Sequence, residues 1–159
     1  MSMKNIINLK IMKIVKFDSM FLDEILKSFI YSFPGWSIEK AKAYLMQTYL
    51  ANPDFCFMAL NKNDELLGAI FCKIGPSKTG DLLIIESLQV IDEYRNKGAG
   101  TSLLKHVINK ACEVNISNIG MMSPVKNKFP ISWYKKIGFE ETGWVELSAK
   151  VDKIKNLLE

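Results

Sequence analysis

The stretch from Leu82 to Val114 constrains this chain more than any other. Leu82–Ile91 is an apolar, β-favouring run that reads as a strand, with a single acid, Glu86, set among its aliphatic residues. Asp92 to Lys97 then turns at once into Gly98-Ala99-Gly100. Gly100–Val114 follows with Leu103, Leu104, Val107, Ile108 and Ala111 on one helical stripe. A strand that passes through a glycine-rich turn into a helix builds an anion site. The first-turn amides have no intrahelical partner, and the helix dipole favours negative charge. Gly98 and Gly100 suit a backbone that takes positive φ or approaches a phosphate closely, while Arg95 and Lys97 add positive charge. The plainer reading is an ordinary strand-to-helix turn, and the string alone does not separate the two. Two established nucleotide loops fail on spacing. The G-x-x-x-x-G-K-[ST] string is absent, and Thr101-Ser102-Leu103 after Gly100 breaks G-x-G-x-x-G.

The elements around this unit predict a mixed α/β architecture. Ile11–Phe17 alternates like a strand, Asp18 or Ser19 caps a helix to about Ser32, and Pro34-Gly35 breaks it. Ser37 caps a second helix with Glu39 in its first turn. Phe55–Leu60 and Leu66–Ile74 flank the turn Asn61–Asp64 as a hairpin, and 75–80 reads as a loop. Beyond the long helix come a strand at Ile116–Met121 and a short helix at Phe129–Ile137 ended by Gly138. Closing strands are expected within Phe139–Leu147, then a terminal helix at Val151–Leu158. The economical packing is a central sheet of mixed direction with helices on both faces.

With 159 residues the chain suits one domain, residues 1–159, with 1–10 as a flexible extension. A domain of this length buries about 70% of its unfolded surface and folds without staples. Three widely spaced cysteines and one histidine predict no disulfide and no metal site. The 21 basic residues are scattered among acids rather than clustered, which argues against nucleic acid. No apolar run of about 18 residues predicts a membrane span, and the polar start does not read as a signal peptide. The expectation is a soluble cytoplasmic protein.

Arg95-Asn96-Lys97-Gly98-Ala99-Gly100 resembles the R/Q-x-x-G-x-G/A signature of the GCN5-related N-acetyltransferase (GNAT) family. Upstream, Glu86–Val90 and Glu93-Tyr94 are similar to that family's fourth strand and its approach to the loop, and Thr101–Leu104 to its third helix. Asn127, Trp133-Tyr134 and Gly138-Phe139 are similar to its second cofactor element, N-x-x-A-x-x-[FY]-Y-x-x-x-G-F, with Pro130 in place of the alanine. The resemblance implies a GNAT-like fold and acetyl-CoA as donor. It places the CoA pyrophosphate on the amides of Lys97, Gly98, Ala99, Gly100 and Thr101, with Arg95 and Asn96 in the same loop. Leu88, Gln89 and Val90 would hold the pantetheine arm like an added strand, faced also by Asn127, and Tyr134 would be the general acid.

Acetyl transfer needs a neutral amine, so a base must remove a proton. Glu86 is the candidate, because an acid in mid-strand is costly to bury without a purpose or a partner. The alternative reading is a salt bridge or a hydrogen-bonded structural carboxylate. Cys112 reads as helix packing, which leaves direct attack by the amine. Phe33 and Trp36, beside the Pro-Gly break, are candidates for the acceptor pocket, whereas Tyr44 and Tyr49 read as core. The Pro-Gly-Trp-Ser string looks like that of small-amine and aminoglycoside-type enzymes, so a small amine is favoured. A protein lysine or peptide N-terminus and a non-catalytic CoA-binding module are the alternatives. Pairing of a strand at Trp144–Ala149 would allow a homodimer.

Overall fold

The computed structural model describes residues 12–124, 129–143 and 145–158. It divides into two compact units after Met122. The first holds β1 (Lys13–Lys16), α1 (Leu22–Ser32), α2 (Ile38–Ala51), β2 (Cys56–Leu60), β3 (Leu66–Ser77), β4 (Gly80–Val90), α3 (Ala99–Glu113) and β5 (Asn118–Met121). The second holds α4 (Ile131–Lys136) and α5 (Val151–Leu158).

The strands form one five-stranded sheet in the order β1-β2-β3-β4-β5. The first three pairings are antiparallel and β4–β5 is parallel, so the sheet is mixed as expected. Local chemistry explains the helix starts. Asp18 accepts from the Met20 amide and opens a 3-10 turn that runs into α1. Ser37 accepts from the Lys40 amide at 3.2 Å and caps α2. Alternation along β2 sends Cys56, Met58 and Leu60 to one face, where they pack with Ile25, Leu26, Phe29 and Leu45 of α1 and α2. Phe57 points the other way and meets His106 of α3 ring to ring at 4.5 Å. Helices therefore cover both faces of the sheet. Each fully buried leucine or phenylalanine here contributes about 1.5–3 kcal/mol, and all three thiols are free.

Four expectations need correction. The segment 75–80 is not an open loop: β3 runs through Pro76 to Ser77, and only Lys78-Thr79 join it to β4. Ser77 Oγ donates to the Gly80 carbonyl at 2.8 Å, and Gly80 takes positive φ, which closes a two-residue turn. No strand occurs among the described residues of Phe139–Leu147 or Trp144–Ala149; Trp144 itself lies outside them. Val145 and Leu147 are exposed, so no buried face specifies a strand there, and Gly143 takes positive φ. That removes the strand invoked for a homodimer. Cys112 is exposed rather than packed, because it lies one residue past Ala111 and off the stripe that faces the sheet. Ile108 is also largely off that stripe.

Candidate active site

The glycine loop is built by hydrogen bonds within itself. The Tyr94 amide donates to Ile91 O at 2.8 Å, and the Arg95 amide to Asp92 O. Asn96 and Gly98 then take left-handed φ of 59° and 92°. Gly98 is the cap of α3 and supplies no side-chain acceptor for the first-turn amides. A Cβ on Gly98 would meet nothing within 4 Å, so the space beyond the helix start is open. A Cβ on Gly100 would sit 3.5 Å from Val90, which seats the helix start against the end of β4. Left this way, the α3 N-terminus is a positive pole with uncapped donors.

The two cations of the loop are both engaged by neighbouring groups. Arg95 donates through Nε to Val90 O at 3.3 Å and through Nη2 to Ser32 Oγ at 3.1 Å. It also pairs with Asp92 and lies over the Tyr31 ring. Lys97 donates to Glu93 O at 2.8 Å and lies over Tyr94. Main-chain amides, rather than these two side chains, are the donors left for an anion.

Beside the loop, β4 has an edge left unpaired among the described residues. Its parallel ladder with β5 ends at Ile85↔Met121, while its antiparallel ladder with β3 continues to Gly68↔Val90. The Ile91 amide donates to Leu67 O across that ladder. Main-chain groups alternate edges along a strand, so those of Leu88 and Val90 point to the open side. Gln89 points the other way: its carbonyl lies 2.5 Å from where a Cβ on Gly68 would be, a contact that only glycine avoids. The Gln89 side chain is buried, as is Ser87, and neither has a hydrogen-bond partner among the described residues. Of the three residues expected along the pantetheine arm, Leu88 and Val90 present main-chain groups to that edge and Gln89 does not.

Glu86 stands where the edge opens. The β3–β4 register shifts between Phe71↔Ser87 and Cys72↔Ile85, leaving Glu86 as the extra residue of a bulge. Its side chain is 12% exposed. One carboxylate oxygen accepts from the Tyr44 hydroxyl, and the other pairs with the Lys73 ammonium. Tyr44 also reaches the Glu86 carbonyl at 3.2 Å. Burial first, and then the bond to Glu86 and its charge, push the Tyr44 hydroxyl well above the usual tyrosine range. The Tyr44 ring packs on Trp36 at 5.2 Å, and Trp36 on Phe29 at 5.4 Å, with Phe33 also on Phe29. Phe33 and Trp36 remain partly exposed. Trp36 is thus linked to the Glu86 carboxylate through one ring.

Tyr44 and Lys73 are the partners that sequence reasoning did not assign. The signal was present in part: Lys73 follows Ile70-Phe71-Cys72 as Glu86 follows Ile84-Ile85, two opposite charges in neighbouring apolar strands. Both Tyr44 and Tyr49 pack against the core as expected, Tyr49 edge-on to Phe17.

In the second unit, Tyr134 is buried between Trp133, at 4.7 Å, and Phe139, at 5.2 Å. Pro130 immediately precedes α4, and Gly138 ends it with φ of 104°. Asn127 lies outside the described residues. Among the described residues no group of three or more His, Cys, Asp or Glu gathers as a metal site. No described helix is long and apolar enough to cross a membrane.

The family model for the acetyltransferase (GNAT) family matches residues 20–139. N-alpha-acetyltransferase 50 of Danio rerio is 36% identical over 80 residues, covering 49% of this chain and 47% of that protein. N-alpha-acetyltransferase 30 of Xenopus laevis is 31% identical over 103 residues, covering 64% of this chain and 37% of that protein. The chain thus spans less than half the length of these curated relatives. Arabidopsis thaliana Naa50, solved with the bisubstrate analogue CoA-Ac-MVNAL, superposes with a TM-score of 0.67 at 26% identity, covering 82% of this chain and 84% of that one. An aminoglycoside N-acetyltransferase, AAC(6')-Iy, solved with CoA, shares the fold at a TM-score of 0.72 and 17% identity, over 89% of this chain and 95% of that one. Five mixed strands, a glycine loop opening α3 and a match across residues 20–139 together make this chain a member of the GNAT acetyltransferase family.

Proposed function

We propose that the chain is an acetyl-CoA-dependent N-acetyltransferase acting on the α-amine of a peptide. The observation that carries the donor half is the pairing of an uncapped α3 N-terminus with an open β4 edge. These residues fit CoA. The amides from Lys97 to Thr101 suit a pyrophosphate, and the main-chain groups of Leu88 and Val90 suit the amide-bearing pantetheine arm. Asn127 is assigned to the same arm. Acetyl-CoA supplies the activated acyl group.

The chain's own residues supply the proton handling. Glu86 takes a proton from the acceptor ammonium, directly or through one water. An α-amine, with a pKa near 8, needs less help than a lysine near 10.4. The freed nitrogen attacks without a protein nucleophile, the adduct gives its second nitrogen proton to water as it collapses, and Tyr134 protonates the departing thiolate. Phe33 and Trp36 line the acceptor side. The whole of residues 1–159 is read as one cytoplasmic acetyltransferase domain, in keeping with a family match that crosses the division after Met122.

The peptide acceptor is favoured by the names of the relatives above 30% identity and by the MVNAL portion of the Naa50 analogue. The small-amine reading keeps the Pro-Gly-Trp-Ser string and the shared fold with AAC(6')-Iy. The discriminating experiment is thiol release from acetyl-CoA with MVNAL peptide, with an aminoglycoside and with a polyamine. Release at least tenfold faster with the peptide is expected. Faster release with the aminoglycoside would transfer the assignment to small amines. Tight CoA binding without release from any amine would point to a CoA-binding module.

A further inference from the structure

The two oxygens of Glu86 are held unequally. Tyr44 belongs to the aromatic cluster with Trp36 and Phe29 and cannot leave its oxygen without breaking that packing. Lys73 holds the other oxygen from β3, and its side chain is 45% exposed against 12% for Glu86. The group it brings is a primary alkylammonium, the same chemical group as a protonated amine acceptor. We propose that Lys73 occupies the place of the acceptor's ammonium on Glu86 and is displaced when the acceptor binds. This rests on the reading of Glu86 as the base.

Mobility and charge favour the exchange. A lysine that is already half in water can swing its ammonium out and keep its stem on the surface. Glu86 cannot follow, because its carboxylate is anchored by Tyr44 and its backbone sits in the bulge. A neutral group in place of Lys73 would leave a mostly buried carboxylate oxygen short of a cation, which is costly. An incoming ammonium restores the pair. The site therefore admits the charged form of the amine, and Glu86 receives the proton only after Lys73 has gone. Lys73 acts as an internal competitor that sets how strongly an acceptor must bind.

The test separates competition from positioning. With acetyl-CoA and MVNAL peptide, Lys73→Met is expected to lower the peptide KM about tenfold without a matching loss of kcat. Lys73→Arg, which keeps a cation in place, should leave KM well above that of Lys73→Met. A fall in kcat at constant KM, rescued by Lys73→Arg, would overturn the proposal and make Lys73 a positioning residue for Glu86. A second readout needs no turnover and so stands apart from the peptide assignment. In protein carrying 13C-lysine, the Lys73 ε-methylene resonance, identified by its loss in Lys73→Arg, is followed as ethylammonium chloride is added. Movement to the position of the exposed lysines, absent with sodium chloride at equal ionic strength, is expected. A resonance that stays put, or that sodium chloride moves equally, would refute the exchange whatever the acceptor proves to be.

Discussion

The two halves of β4 share one strand and one partner, β3, yet serve different ends. From Leu82 to Ile85 the strand is hydrogen-bonded on both edges, and Leu83 and Ile85 are buried. From Glu86 to Val90 only the β3 edge is paired among the described residues, and the sequence turns polar at Glu86, Ser87 and Gln89. The change occurs within one residue, at the bulge. A fully paired strand has no main-chain groups left for a ligand, whereas a half-paired one offers a row of them. The first half therefore serves stability, and the second is the half proposed to bind the donor.

Mutations should respect that division. Leu83→Ala removes a fully buried side chain between two ladders and is expected to cost about 3 kcal/mol, lowering Tm by about 9 °C. CoA affinity of the folded fraction, measured by calorimetry, should stay near wild type. An equal loss of CoA affinity would erase the contrast. Glu86→Gln should do the reverse, reducing kcat by about 100-fold, equivalent to about 2.7 kcal/mol of barrier, with CoA affinity retained. Unchanged kcat would return Glu86 to a structural role. Gly98→Ala forces a side chain into left-handed backbone at φ 92° and should cost about 1 kcal/mol, with CoA affinity falling about tenfold. Retained affinity in that variant would show that the loop geometry is not what holds the cofactor.

How far the sequence foretold this site depends on how local each cause is. Ser37 as a cap, the hairpin at 61–64 and the loop into α3 were legible, because each is fixed by a few adjacent residues. The tight β3–β4 turn was not, since Gly75 and Pro76 read as breakers until the ladder that carries them is known. The Tyr44 ring packs against the core as its helical spacing predicts, and only the docking of α2 places its hydroxyl on Glu86. Lys73 needed the cross-strand register, including the bulge. The closing strands expected at Phe139–Leu147 are absent among the described residues for the opposite reason: apolar residues without a buried face do not specify a strand.

The smallest expected effect concerns the sheet beneath the bulge. Burial pushes the Cys56 thiol up to about 11, and raises Cys72 further in the same direction. A raised folded pKa gives stability that is complete below the ordinary thiol value near 9 and is lost as pH rises through the folded value. Urea midpoints should therefore fall between pH 9 and 11, and Cys56→Ala should flatten that fall. A thiol reagent at pH 8 should label one group, Cys112, in native protein and all three in urea. Early labelling of Cys72 would mean that β3 and β4 part at the bulge more easily than their ladder implies.

Arg95 is the only arginine among 21 basic residues, and its guanidinium ties the last turn of α1, at Ser32, to the end of β4. An arginine-selective dicarbonyl reagent would thus report on a single place in the molecule. Its rate of reaction measures how often that tie opens, and its change on adding CoA would tell whether the glycine loop and the end of α1 tighten together. The chain carries its own single-site reporter, at the joint between α1 and the end of β4.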